Sequence, residues 1–378
     1  MIIGYDMRFI SGTNSGVGLY TINLIRSILK SGANVALKML YSRSNKKNGY
    51  VIRWEDRRTR DYFVDLPNRL ISGLWAFAGW PHVDYFIGEI DIIHSTNYTL
   101  IPATRARKVI TIHDLSFLIF PEFANKGARI HFARKIRDYC VRADQIWADS
   151  LNTKNDIVDM LAVQPEKIEI IYPIISDSYR PIEDGDQLKR SLNSLGLDRP
   201  YILFVGNLEP RKNLVRLVEA YERSGIAGDY ALVIAGAPGW SNRAIHDRID
   251  GSPVRKHIIK LGYLHDSDLV AVYNGARYLI YPSLYEGFGM PPLESIKCGT
   301  PVIAGNNSSL PEVVGDAGLL VDSCDIDAIA DAVKRLAYDD SLRRSLRGNC
   351  GLQAAKFDGK LIAAEALAAY GKLNKDRP

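Results

Sequence analysis

The sequence is short of cysteine, of long apolar runs and of net charge, and each shortage excludes a class of protein. Cys140, Cys298, Cys324 and Cys350 are the only cysteines in 378 residues. They lie far apart, with no CxxC or Cys/His ligand spacing, so free thiols in a reducing compartment are expected. No stretch approaches the roughly 18 apolar residues that a bilayer span needs. The opening MIIGYDMRF is a short apolar run containing an acid. It is not a charged n-region followed by a long h-region, so no signal peptide is expected and the chain is read as cytoplasmic. A net charge of +5 is mild for this length. Nucleic-acid-binding domains are more basic and more clustered, so no nucleic-acid partner is expected. A mild excess suits a phosphorylated substrate or the inner, anionic face of a membrane.

What is present is an ordinary globular composition, 47% hydrophobic and 24% charged. At roughly 150 residues per domain the length implies two to three domains. Strand-like runs alternate with helical stretches. MIIGY opens the first series, and DIIH (91–94), VITIH (109–113), QIWA (145–148) and KIEIIYP (167–173) continue it. A second series is YILFVG (201–206), YALVIAG (230–236), HIIKLG (257–262), RYLIYPS (277–283) and PVIAG (301–305). Continuous Val/Ile/Leu strands between helices predict parallel sheets covered on both faces, here two doubly wound α/β domains. The polar stretch 176–198 reads as the linker between a domain at 1–175 and a domain at 199–356. The Ala-rich segment 357–378 reads as a terminal helix crossing back to the first domain.

The chemistry-bearing residues cluster after strands. The richest segment is YPSLYEGFGMPPLESIKCG (281–299), a strand, a Gly-x-Gly turn (Gly287, Gly289) and a helix entered through two prolines. Pro favours the first helical turn, which places Glu294 in that turn, with Glu286 in the loop before it. Two carboxylates there can accept hydrogen bonds from the vicinal hydroxyls of a sugar, and the glycines let backbone N–H groups approach a phosphate. The plainer alternative is that Glu294 complements the helix dipole and Glu286 is a solvated loop acid. GNLEPRKN (206–213) places Arg211 and Lys212 after a strand, where a fork and a point charge suit phosphate. Gly16, Val17 and Gly18 form a short Gly-rich loop that lacks the third glycine of a dinucleotide site and the Gly-Lys-Ser/Thr of a P-loop. His113 ends VITIH, where it can bond a hydroxyl or shuttle a proton. His94 ends a neighbouring strand. The pairs Asp184/Asp186, Asp266/Asp268 and Asp325/Asp327 read as linker or helix-cap acids, so no metal is predicted.

These motifs carry a resemblance. EGFGMPPLE with its paired glutamates, GNLEPRKN, LVIAGAPGW, SSLPEVVGDAGLLV (308–321) and ADSLNTKNDI (148–157) resemble the retaining glycosyltransferases of family 4. That resemblance implies the GT-B fold, two Rossmann-like domains facing across a cleft. The opening DMR…GVGLY is similar to bacterial mannosyltransferases of O-antigen and exopolysaccharide assembly. The family then implies a nucleotide-sugar donor, with GDP-mannose favoured and a UDP-sugar as the alternative, and no required cofactor. It implies a saccharide or lipid-linked saccharide as acceptor.

By the same resemblance, Glu294 would bind the ribose hydroxyls and Glu286 the donor sugar. The backbone from Gly287 through Phe288 and Gly289 to Met290 would line the donor pocket. Arg211 and Lys212 would neutralise the diphosphate as it leaves, with Gly206 and Asn207 beside them. Many relatives carry Arg where Asn207 stands, which leaves the diphosphate to the basic pair. Tyr263 and Leu264 would flank the base, Gly16 and Gly18 would approach the diphosphate or acceptor, and His113 would touch the donor sugar. The implied reaction is front-face attack with retention, the leaving phosphate oxygen taking the acceptor's proton. Read from the residues themselves, Arg57, Arg58 and Arg60 ahead of the apolar segment LISGLWAFAGW (70–80) would seat the chain on an anionic membrane, the alternative being an ordinary core helix with a basic loop. An epimerase of the same architecture and a non-catalytic nucleotide-sugar-binding protein are the alternative functions.

Overall fold

The computed structural model describes residues 1–10, 16–123 and 126–375. The chain divides into two compact units. The first comprises Met1–Ile119, Lys126–Ile174 and Asp358–Pro378, and the second Phe120–Asn125 and Ile175–Phe357.

The first unit is built on seven strands: β1 (Ile2–Asp6), β2 (Ala36–Ser42), β3 (Thr59–Val64), β4 (Ile92–Ser95), β5 (Arg107–Ile112), β6 (Gln145–Ala148) and β7 (Ile168–Ile170). They form one sheet in the order β3-β2-β1-β4-β5-β6-β7. Every pairing in it is parallel. Order reverses between β1 and β4, which is the switch point where doubly wound sheets hold ligands. β1, β4, β5 and β6 are buried almost throughout, which is why they read as unbroken apolar runs. β2 and β3 were not recognised as strands. β3 is TRDYFV with one fully buried residue, the pattern of an edge strand whose charged side chains face water.

The second unit holds β8 (Tyr201–Val205), β9 (Ala231–Ala235), β10 (Ile258–Gly262), β11 (Leu279–Tyr281), β12 (Val302–Gly305) and β13 (Gly318–Val321). Their order is β10-β9-β8-β11-β12-β13, again all parallel. The switch point here lies between β8 and β11. The stretch 176–198, expected as a linker, instead carries the helix Gly185–Ser194, and Asp184 caps it by accepting from the Gln187 N–H at 2.9 Å. Its polar composition reflects a helix with no fully buried residue.

The C-terminal helix Gly359–Lys375 belongs to the first unit. It packs on the helix Gly16–Lys30, and Tyr370 reaches the sheet interior. There the Tyr370 hydroxyl lies 2.8 Å from the Tyr5 hydroxyl and 2.5 Å from His94 Nδ1. The other nitrogen of His94 meets Thr111 Oγ1 at 2.8 Å. His94 is wholly buried, and that burial, reinforced by the nearby His113, pushes its pKa down to about 3. It is a neutral core histidine that ties three elements together, and the sequence had left it among candidate polar site groups. Tyr370→Phe should therefore lower unfolding free energy by roughly 1–3 kcal/mol, because two buried partners lose their common hydroxyl. Urea titration checks this, and an unchanged midpoint would refute the docking role.

Candidate active site

Four loops meet at the carboxyl ends of β8, β9, β11 and β12. Two strand-end glycines bring the first pair together. Gly206 (φ +151°) and Gly236 (φ +153°) face each other so closely that a Cβ on Gly236 would lie 1.9 Å from the Gly206 carbonyl oxygen. The GNLEPRKN loop then runs beside the AGAPGW loop through a bridge from Leu208 to Pro238. This close approach turns Arg211 and Lys212 toward β11. Asn213 fixes the end of the turn in the left-handed region, at φ +63°. Its side-chain amide donates to the carbonyls of Pro282 at 2.9 Å and Ser323 at 2.7 Å.

Glu286 is the centre of the cluster. Lys212 Nζ lies 2.7 Å from its Oε1, and Arg211 Nη1 lies 3.0 Å from its Oε2. Ser283 Oγ donates to Oε1 at 2.5 Å, and the Glu286 N–H donates to Ser308 Oγ at 3.0 Å. Lys212 also donates to the Tyr281 hydroxyl at 2.5 Å. Burial works against a charged Glu286. The charges of Arg211 and Lys212 and the bonds from Lys212 and Ser283 outweigh it and hold the carboxyl down at about 2. Burial likewise pulls the Lys212 ammonium below the usual lysine range, with Glu286 opposing that pull.

Glu294 sits in a different environment. The helix runs Met290–Lys297 with Gly289 before it, and its first turn holds no acid. Glu294 thus falls one or two residues further in than expected, just past the first turn, because the helix begins at Met290, ahead of the two prolines. The side chain is buried, and the Tyr273 hydroxyl donates to its Oε2 at 2.8 Å. Burial pushes its pKa up to about 7, the Tyr273 bond opposing and Asp266 adding a little.

The structure brings Arg211, Lys212 and Glu286 into direct contact, with Gly206, Gly287 and Gly289 in the same loops. Phe288 is buried, and its carbonyl accepts from Ser309 Oγ at 2.6 Å. Met290 is half-buried at the helix start, and Asn207 is exposed. Tyr263 and Leu264 follow β10, the edge strand of this sheet, and Tyr263 is exposed. Tyr273, Tyr281, Ser283, Ser308 and Ser309 were not singled out from sequence. The only signal for Ser283 was its place three residues before Glu286.

The remaining candidates belong to the first unit. His113 donates or accepts at both ring nitrogens: Nδ1 meets Asp149 Oδ2 at 2.7 Å and Nε2 meets the Thr96 carbonyl at 2.9 Å. The Thr96 carbonyl can only accept, so Nε2 carries a proton, while Nδ1 faces the Asp149 carboxyl. Burial opposes a charge on the ring, and Asp149 outweighs it to raise the pKa above the ordinary value. Both ring nitrogens are engaged within the protein. Gly16 and Val17 open the helix Gly16–Lys30, and a Cβ at Gly16 would meet nothing within 4 Å, so packing does not demand that glycine. Gly18 is buried in the same helix, while Ser15, from the same loop motif, lies outside the described residues. In the DMR motif, Arg8 forks onto Asp6 through two bonds of 2.8 Å and lies 4.2 Å over the Trp75 ring, all buried.

Comparison with known proteins joins these features. Residues 14–179 match Glycosyltransferase Family 4, and residues 187–351 match Glycosyl transferases group 1. The O-antigen chain mannosyltransferase B of Escherichia coli is 32% identical over 371 residues, 94% of this chain and 96% of that protein. The chain belongs to glycosyltransferase family 4. Its fold is GT-B: the sucrose-phosphate synthase of Thermosynechococcus elongatus superposes over 100% of both chains with a TM-score of 0.78 at 20% identity. Anabaena HepE in complex with UDP-glucose superposes over 98% of this chain and 100% of that one, with a TM-score of 0.73 at 16% identity. Among the described residues of this glycosyltransferase no helix is long and apolar enough to cross a membrane.

The contrast between its glutamates is testable. A carboxyl raised on folding favours the fold while protonated. Its contribution is complete below about 4.5 and is lost as pH rises through about 7. Glu294→Gln keeps an oxygen for Tyr273 and cannot ionise. The variant should gain stability over the wild type between pH 5 and 8, by up to on the order of 3 kcal/mol. Urea titrations across that range check it, and parallel stability curves would refute the raised carboxyl.

Proposed function

We propose that this glycosyltransferase moves a mannosyl group from GDP-mannose to a growing cell-surface polysaccharide, with retention of configuration. The observation that carries the reading is the Arg211–Lys212–Glu286 cluster at the β8/β11 switch point, eight residues upstream of buried Glu294. Two cations from one loop suit a diphosphate, and two carboxylates at different depths suit the hydroxyls of two sugars. The similarity to an O-antigen mannosyltransferase along nearly the whole chain supports mannose as the sugar and a saccharide as acceptor. A relative in fold that binds UDP-glucose supports a nucleotide-sugar donor.

In this reading the leaving diphosphate draws Arg211 and Lys212 partly away from Glu286. Their charge stabilises the negative charge that grows on the phosphate oxygen as the glycosidic bond breaks. Glu286 then turns its freed acceptor capacity to the sugar hydroxyls. The acceptor hydroxyl attacks from the face the phosphate leaves, and its proton passes to that phosphate oxygen. Glu294, ionised above about pH 7, takes two hydrogen bonds from the ribose. An epimerase is disfavoured by the family, whose members transfer glycosyl groups.

The N-terminal unit suits a membrane-held acceptor. Leu70, Phe77, Trp80 and Tyr85 are exposed, while Ile71 and Trp75 anchor the same segment in the core. Arg58, expected to face the membrane, instead pairs with Asp56 and donates to the carbonyls of Leu29 and Ala33. Arg57 and Arg60 remain exposed. Phe77→Ser with Trp80→Ser should reduce flotation with anionic vesicles severalfold, and equal flotation would refute this seating.

Lys212→Ala should lower kcat for mannosyl transfer by roughly 100-fold or more, the usual effect of removing one such charge-stabilising donor. Glu286→Gln is the companion variant, because Glu286→Ala would strand two buried cations. Radiolabelled transfer from GDP-mannose to a mannose oligosaccharide measures both. Turnover with UDP-glucose and none with GDP-mannose would overturn the donor assignment.

A further inference from the structure

A second concentration of charge lies at the other end of the second unit's sheet. Its strands are parallel, so their amino ends share one edge and the donor cluster occupies the opposite one. At the amino edge a cavity of about 410 Å³ opens where the chain enters β8 at Tyr201, β11 after Arg277 and β12 after Pro301. The facing wall is the helix Asp340–Ala355. Residues 340, 343, 344 and 347 stand at i, i+3, i+4 and i+7, one face of that helix. Arg343, Arg344 and Arg347 line the cavity together with Arg277.

Their counter-charge is thin. Asp340 Oδ1 accepts from Arg277 Nη2 at 2.6 Å and from Arg343 Nη2 as well, so one carboxylate oxygen serves two guanidinium groups. Behind that contact Arg277 Nε and Arg343 Nη1 are buried and have no hydrogen-bond partner. Asn274, also in the lining, spends its side chain on the backbone of Ile182, Arg180 and Val270. A solvated basic helix face accounts for Arg344 and Arg347, which are exposed. It does not account for two orphaned N–H groups in the wall behind them, since a donor left unpaired in a buried place costs free energy.

We infer that this cavity binds a phosphate-bearing anion, separate from the nucleotide-sugar donor. Guanidinium forks match phosphate oxygens two at a time, and the volume falls in the range of small-ligand sites. The anion takes its donors from the exposed guanidinium groups of Arg344 and Arg347 and balances the charge that one Asp340 carboxylate leaves uncompensated among four lining arginines. Either a free phosphate or diphosphate group or the phosphate headgroup of a lipid has this chemistry.

The test compares the full chain with the double variant R344A/R347A. Both side chains are exposed and Ala sustains the helix, so the fold is kept. Inorganic pyrophosphate titrated calorimetrically should bind the variant with one equivalent fewer than the wild type, with transfer in the absence of added anion unchanged. The count is a difference, so it holds whether or not Arg211 and Lys212 also take pyrophosphate. A parallel flotation with phosphatidylglycerol vesicles separates the sources. Loss of the pyrophosphate equivalent together with weakened flotation assigns a lipid headgroup, and its loss with flotation intact assigns a free anion. Equal pyrophosphate stoichiometry in the two proteins overturns the inference.

Discussion

A buried carboxylate must be compensated, and in the second unit that requirement organises the site. Glu286 is held ionised by Lys212 and Arg211, which come from a loop more than seventy residues away in the chain. The pair meets only because β8 and β11 are neighbours, the point where the winding of the sheet reverses. The glycine contact at Gly206 and Gly236, the left-handed turn at Asn213 and the serines at 283 and 308 then serve one end, placing two cations and one anion within bonding distance. Removing any one charge strands the others in a poorly hydrated place, so the arrangement is cooperative.

Two glutamates in one strand–loop–helix segment end up with opposite acid strengths. Glu286 faces cations and stays ionised well below neutrality, while Glu294 is buried against the Tyr273 hydroxyl and has its pKa pushed up to about 7. The difference is environmental, since the side chains are identical. Carboxyls pushed apart in this way take different tasks. A charge-balanced glutamate can exchange partners when a diphosphate arrives. A glutamate raised by burial gains from a ligand that brings its own hydroxyl donors.

The buried strands and the loop that brings Glu286 and Glu294 in were legible because burial on both faces writes continuous Val and Ile runs and because glycine, proline and paired acids punctuate that loop. β3 was not legible, since an edge strand rich in charge has no period that separates it from a loop. Nor was the helix at Gly185–Ser194, whose polar residues resemble a linker until its cap and its tertiary neighbours are known. The starting turn of Glu294 depended on whether Met290 or a proline opens the helix, a shift of one or two residues that composition does not decide. Ser283 and Ser308 carry no pattern at all; their role exists only once the loops are folded over Glu286.

His113 shows most directly what sequence withholds. A histidine at a strand's carboxyl end reads as a proton carrier, because its ordinary pKa lies near neutrality. Here the Asp149 carboxyl and the Thr96 carbonyl occupy its two nitrogens. Asp149 pays with one oxygen in that bond and keeps the other buried without a partner. Asp149 raises the pKa of the ring, and burial raises that of the Asp149 carboxyl in turn. A histidine engaged at both nitrogens is held to one orientation, so a position that reads as a proton carrier in sequence is a paired, buried ring in the structure.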